Sequence, residues 1–450
     1  MFEFKTILNP IPANQLILYY LIALFIYIVF LRNIKFTALS LIILLLFNQG
    51  YIILLDESNR PSKVLFIILS LLLLFKGINN LRLDKREQRI LLLSILFTFF
   101  FFMNYIVNGI SLIWAGYQYY KYYVPIVLFF ALKGLNMSSE DAIYYGNLII
   151  KLILFQVAFS ILKLIIIGLR ENITGTISNA GGDIGISYAI LGTILFWAMN
   201  GKEIKGKDWL YILSFLIIPI ASNKRAIWFI YPLIILLIML DKITRLSLRR
   251  VAYIIILVSG LIYFGFRLNP SLNPETKLWG SFDLNYGINY ALSYSGVSEE
   301  KLSSPYAQGR MGASSAILKS TFQNPLSRES LLGFGRSRGG KINTEIFNPT
   351  DYGLLPGTLI SGIGVLIVQM GWPATLLLIL LYINMIYTIP DKKIANIIAF
   401  YVILDFILYG GNLVSNPIHT ILLVLVIMVI RNLILYNNHN VFYNNSLIKK

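Results

Sequence analysis

Residues 81–109 read LRLDKREQRILLLSILFTFFFFMNYIVNG, a charged loop followed by an almost unbroken apolar run from residue 90 to residue 107. A helix that crosses the hydrocarbon core of a bilayer needs about 20 mostly apolar residues. Similar runs recur along the chain, which is 57% hydrophobic and 13% charged with a mean hydropathy of +0.72. Soluble domains carry about 25% charged residues. The composition therefore predicts an all-α, polytopic integral membrane protein and excludes a soluble globular enzyme.

Apolar runs of spanning length divide the 450 residues into three parts, with about 12–13 transmembrane helices in all. Residues 1–266 are predicted to form an N-terminal transmembrane bundle of about ten helices. Residues 267–353 form one large periplasmic or extracellular loop. Residues 354–450 are predicted to hold a re-entrant or interfacial helix at 354–369, then C-terminal transmembrane helices and a cytoplasmic tail. The predicted spans are 14–31, 36–55, 63–75, 90–108, 112–132, 142–168, 184–200, 209–221, 226–240, 251–266, 372–389, 395–410 and 417–435.

The basic residues orient this bundle. Lys and Arg number 38 against 21 Asp and Glu, which gives a formal charge of +17. So basic a chain is often a nucleic-acid binder, but 12 of these 38 residues are concentrated in the loops 76–89, 202–207 and 242–250. These loops lie on one side of the predicted membrane map, as the positive-inside rule requires of cytoplasmic loops. We therefore expect the long loop to lie outside, and we expect no nucleic-acid partner.

The absence of cysteine limits the chemistry. The chain has no Cys and only two histidines, His419 and His439. Thiolate nucleophiles, iron–sulfur clusters and Cys-based zinc sites are excluded. Neither histidine has a second His or an acidic residue at ligand spacing, so we expect no metal site and no cofactor.

Some charged residues do not fit the orientation pattern. Lys224 and Arg225 precede a predicted span on the external side, where the free N–H groups and the dipole of a helix start favour an anion. The alternative is a pair of snorkelling helix anchors. Inside predicted spans lie Lys121, amid five tyrosines, and Lys163 and Asp405 near external helix ends. Such residues usually face the bundle interior or a wet cavity; snorkelling, or for Lys121 a misplaced span boundary, would also explain them.

The long loop carries a second set of polar residues. Gly309-Arg310 is followed by helical spacing at 316–322, by Asn324-Pro325-Leu326 and by Gly333-Phe334-Gly335. The following Arg336 and Arg338 lie among glycines and could form an anion-binding nest or a plain solvated loop. The run to Lys341 is not a phosphate loop, because Ile342 stands where Ser or Thr must bind magnesium. Glu345 and Asp351 close the loop.

In these motifs the chain resembles the O-antigen polymerase and ligase family of bacterial membrane glycosyltransferases. The resemblance covers residues 221–389 and rests on three features. The first is the turn Ser222-Asn223-Lys224-Arg225-Ala226, and the second is Gly309-Arg310 followed by Asn324-Pro325-Leu326 and Gly333-Phe334-Gly335. The third is Asp351-Tyr352-Gly353, which leads to a glycine-rich helix and Gly371.

The resemblance implies a multi-pass protein of the bacterial cytoplasmic (inner) membrane with its active site facing outside. By position, Arg225 and Arg310 inherit the role of holding the diphosphate of a polyprenyl-linked glycan. Lys224, Lys121, Lys163, Arg336, Arg338 and Asp405 are further substrate-binding candidates. Asp351 and Glu345 are candidate general bases, with Asp405 behind them. The ligase branch carries a loop histidine, and residues 267–353 have none.

We therefore expect a metal-independent membrane glycosyltransferase that polymerises lipid-linked repeat units into O-antigen, capsular or exopolysaccharide chains. The alternatives are a ligase that moves glycan to another acceptor and a flippase or transporter for lipid-linked oligosaccharide. Partners would be the lipid bilayer, the polyprenyl-diphosphate-linked glycan, a chain-length regulator and a flippase.

Overall fold

The structure of the chain is a computed structural model. It describes residues 38–40, 42–43, 46, 60–168, 173–176, 182–202, 204–240, 248–296, 309–335, 348–355, 358, 360, 362–408 and 417–447. The span predicted at 14–31 and most of that at 36–55 lie outside the described residues.

The described residues fold into α-helices with short 3₁₀ turns and no β-strand. The all-α prediction is confirmed in this respect. In chain order the helices are α1 Arg60–Gly77, α2 Lys85–Val107, α3 Leu112–Gly134, α4 Ser139–Ile167, α5 Gly182–Met199, α6 Asp208–Phe215, α7 Ile217–Ala221, α8 Ile227–Met239, α9 Leu248–Leu268, α10 Leu284–Ser295, α11 Arg310–Gln323, α12 Arg328–Leu332, α13 Gly362–Ile386, α14 Lys392–Leu408 and α15 Pro417–Leu447. The 3₁₀ turns are Ile78–Asn80, Pro270–Leu272 and Pro349–Tyr352.

Four helices in the described part of the chain are long and apolar enough to cross a membrane. They are Lys85–Val107, Ser139–Ile166, Gly362–Ile386 and Ile418–Tyr436. Shorter apolar helices accompany them, among them Ile184–Met199, Ile227–Met239 and Ile255–Leu268. The span predicted at 209–221 is divided into α6 and α7 at Leu216. These features are compatible with a membrane protein, and the larger number of spans stays a prediction.

Loops that the charge pattern assigns to the same side of the membrane lie together in the structure. The Arg86 guanidinium donates to the Tyr387 carbonyl. Lys202 forms a salt bridge with Asp391, just before α14 begins. At the other end of α2, Arg328 in the long loop donates to the Val107 carbonyl at 2.8 Å. The predicted cytoplasmic loop at Tyr387 and the predicted external loop therefore contact opposite ends of the same helix, α2.

Helix α13 contains a break that organises the long loop. Gly371 has φ 78° and ψ 167°, so the helix is interrupted there. The Val368 and Gln369 carbonyls accept hydrogen bonds from the backbone N–H groups of Phe334 and Gly335, at 2.8 and 2.9 Å. Asn104 Nδ2 also donates to the Gln369 carbonyl at 3.0 Å. A buried carbonyl left without a partner costs free energy, so these bonds compensate the break.

The break agrees with the division predicted around residue 370. A re-entrant or interfacial helix at 354–369 and a separate span at 372–389 were expected. In the structure two helical segments meet at the non-helical Gly371. The first segment begins at Gly362 rather than at residue 354, since Leu354, Leu355, Thr358 and Ile360 are not helical.

A buried ion network closes the predicted cytoplasmic end. Glu87 is fully buried, and its Oε1 lies 2.6 Å from Arg431 Nη2 and 2.9 Å from Lys133 Nζ. Its Oε2 accepts from the Asp84 backbone N–H at 2.9 Å within a capping box. The carboxylate therefore joins α2, α3 and α15 at one point.

We expect Glu87→Gln to lower the stability of the protein by about 3–5 kcal/mol, because it leaves the buried Arg431 charge without its partner. Thermal unfolding in detergent measures this. Glu140→Gln is the control, since Glu140 is an exposed first-turn carboxylate of α4. Equal melting temperatures for the two variants would contradict the assignment.

Substitution of Gly371 by Ala is also expected to destabilise the fold. A Cβ at Gly371 would overlap the Leu331 carbonyl oxygen, and the residue has a φ of 78° that L side chains rarely adopt. Gly260→Ala in α9 is the control, because nothing lies within 4 Å of a Cβ there. Limited proteolysis of the long loop should be faster in Gly371→Ala only; the same rate in both variants would refute the close approach.

Candidate functional site: two arginines on a tyrosine-bearing helix

A tight turn between α7 and α8 presents Lys224 and Arg225. The Ser222 hydroxyl donates to the Ile218 carbonyl at 3.0 Å, and Asn223 is left-handed with φ 53°. The Lys224 N–H donates to the Pro219 carbonyl at 2.9 Å, which closes the turn. Helix α8 then begins at Ile227, so the prediction that both cations precede a helix start is confirmed.

Aromatic packing places α10 over this turn. The Phe229 and Phe266 ring centroids lie 5.9 Å apart, and those of Phe266 and Phe282 lie 5.7 Å apart. Phe266 is 1% exposed, and a Cβ at Gly287 would overlap its ring. Only glycine allows α10 to approach so closely. The contacts therefore run from α8 through α9 to α10.

Helix α10 carries three tyrosines on one face. Tyr286, Tyr290 and Tyr294 are spaced by four residues, which places them in a row along the helix. Neighbouring rings are stacked, with centroids 6.4 and 6.3 Å apart and interplanar angles of 20° and 12°. The row forms a nearly parallel series of aromatic rings.

Arg225 contacts this row from the turn. Its Nη1 donates to the Tyr290 hydroxyl. The guanidinium carbon lies 5.2 Å from the Tyr290 centroid and 4.4 Å from the Tyr294 centroid. Such cation–π contacts are worth about 0.5–1 kcal/mol at exposed sites and about 2 kcal/mol or more when desolvated. Tyr290 and Tyr294 therefore hold the Arg225 side chain in place.

Arg310 reaches the same row from the long loop. It is the first residue of α11, directly after Gly309, whose φ of 78° turns the chain into the helix. Its guanidinium carbon lies 5.7 Å from the Tyr294 centroid. The two arginines predicted to act together therefore share one aromatic ring, although 84 residues, including all of α8, α9 and α10, lie between them in the chain.

Two guanidinium groups this close repel one another, and the negative faces of aromatic rings offset part of that repulsion. An anion bound by both would relieve the rest. Arginine presents a planar set of donors that matches phosphate oxygens in a bidentate way. The arrangement therefore suits a phosphate or diphosphate group that carries more than one negative charge.

Two acidic residues lie on elements that pack around α11. Asp351 is exposed in the 3₁₀ turn Pro349–Tyr352 and accepts from Asn348 Nδ2 at 3.1 Å. Asp405 is 3% exposed on α14, which packs against both α8 and α11, the helices at whose starts the arginines lie. Each aspartate therefore lies on an element that packs against the helix that begins with Arg310.

Tyr352 sits beside Asp351, and its ring lies 6.0 Å from that of Phe334 in an edge-on arrangement. Burial raises the pKa of the Tyr352 hydroxyl to about 12, and the charges of Glu329 and Asp351 add to the effect. The hydroxyl is therefore protonated at neutral pH and can donate a hydrogen bond.

The other candidate site residues lie on other helices or outside the described residues. Lys121 and Lys163 are half-buried on α3 and α4. Two tyrosines near Lys121, Tyr119 and Tyr122, pack against Phe97 at 6.3 and 5.4 Å, so they belong to the aromatic core between α2 and α3. Glu345, Arg336 and Arg338 lie outside the described residues.

Sequence reasoning missed Tyr290 and Tyr294. Their signal was present, because tyrosines at 286, 290 and 294 repeat at the spacing of one helix face. The sequence also gave no sign of the hydroxyl groups around His419: the Ser187 hydroxyl hydrogen-bonds His419 Nδ1 and lies 2.6 Å from the Tyr401 hydroxyl. These three residues are each 1% exposed, so the cluster ties α5, α14 and α15 together inside the bundle.

Within the described ranges, no three His, Cys, Asp or Glu residues are grouped so that they could hold a metal ion. No family model matches the chain, and no curated protein or solved structure matches it either. The fold and site therefore define a helical protein with apolar helices of membrane-spanning length and an arginine pair suited to an anion.

The tyrosine contact predicts a graded effect on anion binding. Tyr294→Leu removes the ring under both guanidinium groups and should weaken binding of inorganic diphosphate about tenfold, equivalent to about 1.4 kcal/mol. Tyr294→Phe keeps the ring and should bind as the wild type does. Titration of diphosphate against the melting temperature in detergent measures both; equal affinities for Leu and Phe would show that the ring does not position the arginines.

Proposed function

We propose that the protein is a membrane glycosyltransferase that polymerises polyprenyl-diphosphate-linked oligosaccharide repeat units. The products would be O-antigen, capsular or exopolysaccharide chains, assembled on the external face of the bacterial cytoplasmic membrane. The observation that carries the proposal is the meeting of Arg225 and Arg310 on the Tyr294 ring. The resemblance assigned these two arginines to one diphosphate, and they are neighbours in the fold.

The proposed glycosyl transfer requires few other groups from the protein. A hydroxyl oxygen of the acceptor sugar forms a bond to the anomeric carbon of the donor glycan. The bond from that carbon to the diphosphate oxygen breaks, and polyprenyl diphosphate departs with the bonding electrons. Arg225 and Arg310 stabilise the negative charge that develops on the leaving group. Removal of one donor at such a position typically costs about 2.7–4 kcal/mol in the barrier.

The hydroxyl proton must pass to a base. Asp351 is exposed beside the 3₁₀ turn that packs on α11, so an acceptor sugar could reach it. Asp405 is buried on α14 and would act only where the substrate opens the site. Glu345 remains a third candidate. A metal is not needed in this scheme, because the two arginines supply the positive charge that a divalent cation would otherwise bring.

The proposed enzyme would have about 12–13 spans and would face outside. Four helices long and apolar enough to cross a membrane support the membrane location. Arg225 and Arg310 belong to the predicted external side, away from the contacts of Arg86 and Lys202 that gather the cytoplasmic loops. A chain-length regulator and a flippase that delivers the substrate would be its partners.

Two other functions use the same geometry differently. A ligase would transfer the finished glycan to another acceptor with the same arginine pair, and the missing loop histidine disfavours it. A flippase would depend on charges within the bilayer, such as Lys121, rather than on an external pair. No observation in the fold favours these functions over the polymerase.

The test is complementation of a strain that lacks the native gene. We expect Arg225→Ala and Arg310→Ala to yield single repeat units and to lose the long glycan ladder on a gel, at unchanged protein level. Lys319→Ala is the matched control, an exposed cation on the same helix as Arg310, and should keep the ladder. A normal ladder in both arginine variants would overturn the catalytic role. Loss of ligated but not of polymerised glycan would identify a ligase instead.

A further inference from the structure

We propose that α10, within the long external loop, is an interfacial helix whose aliphatic face docks on the outer leaflet of the lipid bilayer. Its tyrosine face, on the opposite side, meets the arginines. The proposal concerns where the helix lies and does not depend on the reaction proposed above.

The residue spacing in α10 separates two faces. Leu284, Ile288 and Leu292 repeat every four residues, as the tyrosines do, but two residues out of phase. With 3.6 residues per turn, a shift of two residues rotates the side chain by about 200°. The aliphatic row therefore lies opposite the tyrosine row, and its three side chains are 45%, 42% and 40% exposed.

The other sides of α10 are accounted for. Gly287 packs on the Phe266 ring, which attaches the helix to α9. Asn285 and Asn289 are exposed and polar, and they lie between the aliphatic row and the tyrosine row. The helix thus has a polar side for water, a glycine contact with the bundle and an aliphatic side exposed in the structure. This division is that of a helix lying in a membrane interface.

The surface next to the aliphatic row identifies its occupant. Exposed aromatic residues continue from α9 to α10. The Tyr263–Phe282 centroids are 5.2 Å apart and the Phe264–Trp279 centroids 5.9 Å apart. The four rings are 38% to 48% exposed. Tyr and Trp concentrate at the boundary between lipid and water. Further along α9, Ile255 and Ile256 are 58% and 70% exposed, as lipid-facing side chains of an apolar helix would be.

Arg267 marks the level of this boundary. It lies in the last turn of α9, and its guanidinium carbon is 4.5 Å from the Trp279 centroid. Its Nε donates to the Gly280 carbonyl at 2.8 Å and its Nη1 to the Tyr263 hydroxyl at 2.7 Å. A cation held at the end of an apolar helix among aromatic rings is typical of headgroup depth. The aliphatic row of α10 therefore extends the same lipid-facing surface.

This placement brings the arginine pair to the depth of lipid headgroups. The arginines lie on the side of α10 opposite the lipid-facing row, about 10–12 Å from the hydrocarbon. A phosphate carried on a membrane lipid could therefore reach them at the level of the headgroups, beside α10. The helix would also hold its tyrosine row at a constant height above the membrane.

The chain contains no cysteine, so each introduced cysteine can be labelled alone. We would label Ile288→Cys and, as the matched control one residue on, Asn289→Cys with a polarity-sensitive fluorophore. The proteins would be reconstituted in phosphatidylethanolamine–phosphatidylglycerol vesicles. Quenching by a lipid with a nitroxide on its acyl chain reports contact with the bilayer, and quenching by iodide reports contact with water.

We expect lipid-borne quenching to be several-fold stronger at position 288 than at 289, and iodide quenching to show the reverse order. Leu292→Cys, on the same face, should repeat the result for 288 and guards against a single misfolded variant. Strong iodide quenching at 288 and 292 would place the row in water and overturn the proposal. Protection from both quenchers would overturn it too, because another protein or a second copy would then cover the row.

Discussion

The break in α13 at Gly371 is the constraint on which the half of the structure around the long loop depends. An interrupted helix frees carbonyl oxygens, and within a membrane protein such groups must be satisfied by the protein itself. Phe334 and Gly335 supply the N–H groups, so the long loop is joined to the bundle by backbone hydrogen bonds. The Trp372 indole adds a bond to the Pro325 carbonyl at 3.0 Å. The kink and the loop are therefore one structural unit.

The position of Arg310 follows from that unit. Helix α11 crosses the first half of α13 where Gly364 meets Ser314, one turn after Arg310. From the other direction, Phe266 attaches α10 to α8 and α9, beside the turn that carries Arg225. Two independent packing chains thus end on the same tyrosine row. At the start of α2, far from the end that contacts the long loop, Glu87 pairs with Arg431 and Lys133. These charges compensate one another, which indicates that the three residues have a structural role.

Sequence patterns predicted the helices well and their connections less well. Long apolar runs gave α2, α4 and α15 because the hydrophobic signal of a membrane helix is local. The helix start after Arg225 followed from the polar turn before it. The interruption near Gly371 was predicted from the glycine and proline residues there. The start of the first segment was placed at residue 354 instead of Gly362, because apolar residues continue up to the helix. The buried role of Glu87 was missed since its partners are remote in sequence.

By itself, the sequence determined the all-helical class and the apolar helices, and it singled out Arg225 and Arg310 as candidates, since these depend on local composition and on residue type. The meeting of Arg225 and Arg310 on Tyr294 was decided only by the tertiary structure. It requires the kink at Gly371, the close approach at Gly287 and the aromatic contacts of Phe266, which join segments far apart in the chain. Packing between remote elements has no local signature, so a cation's neighbours become visible only when the helices are placed.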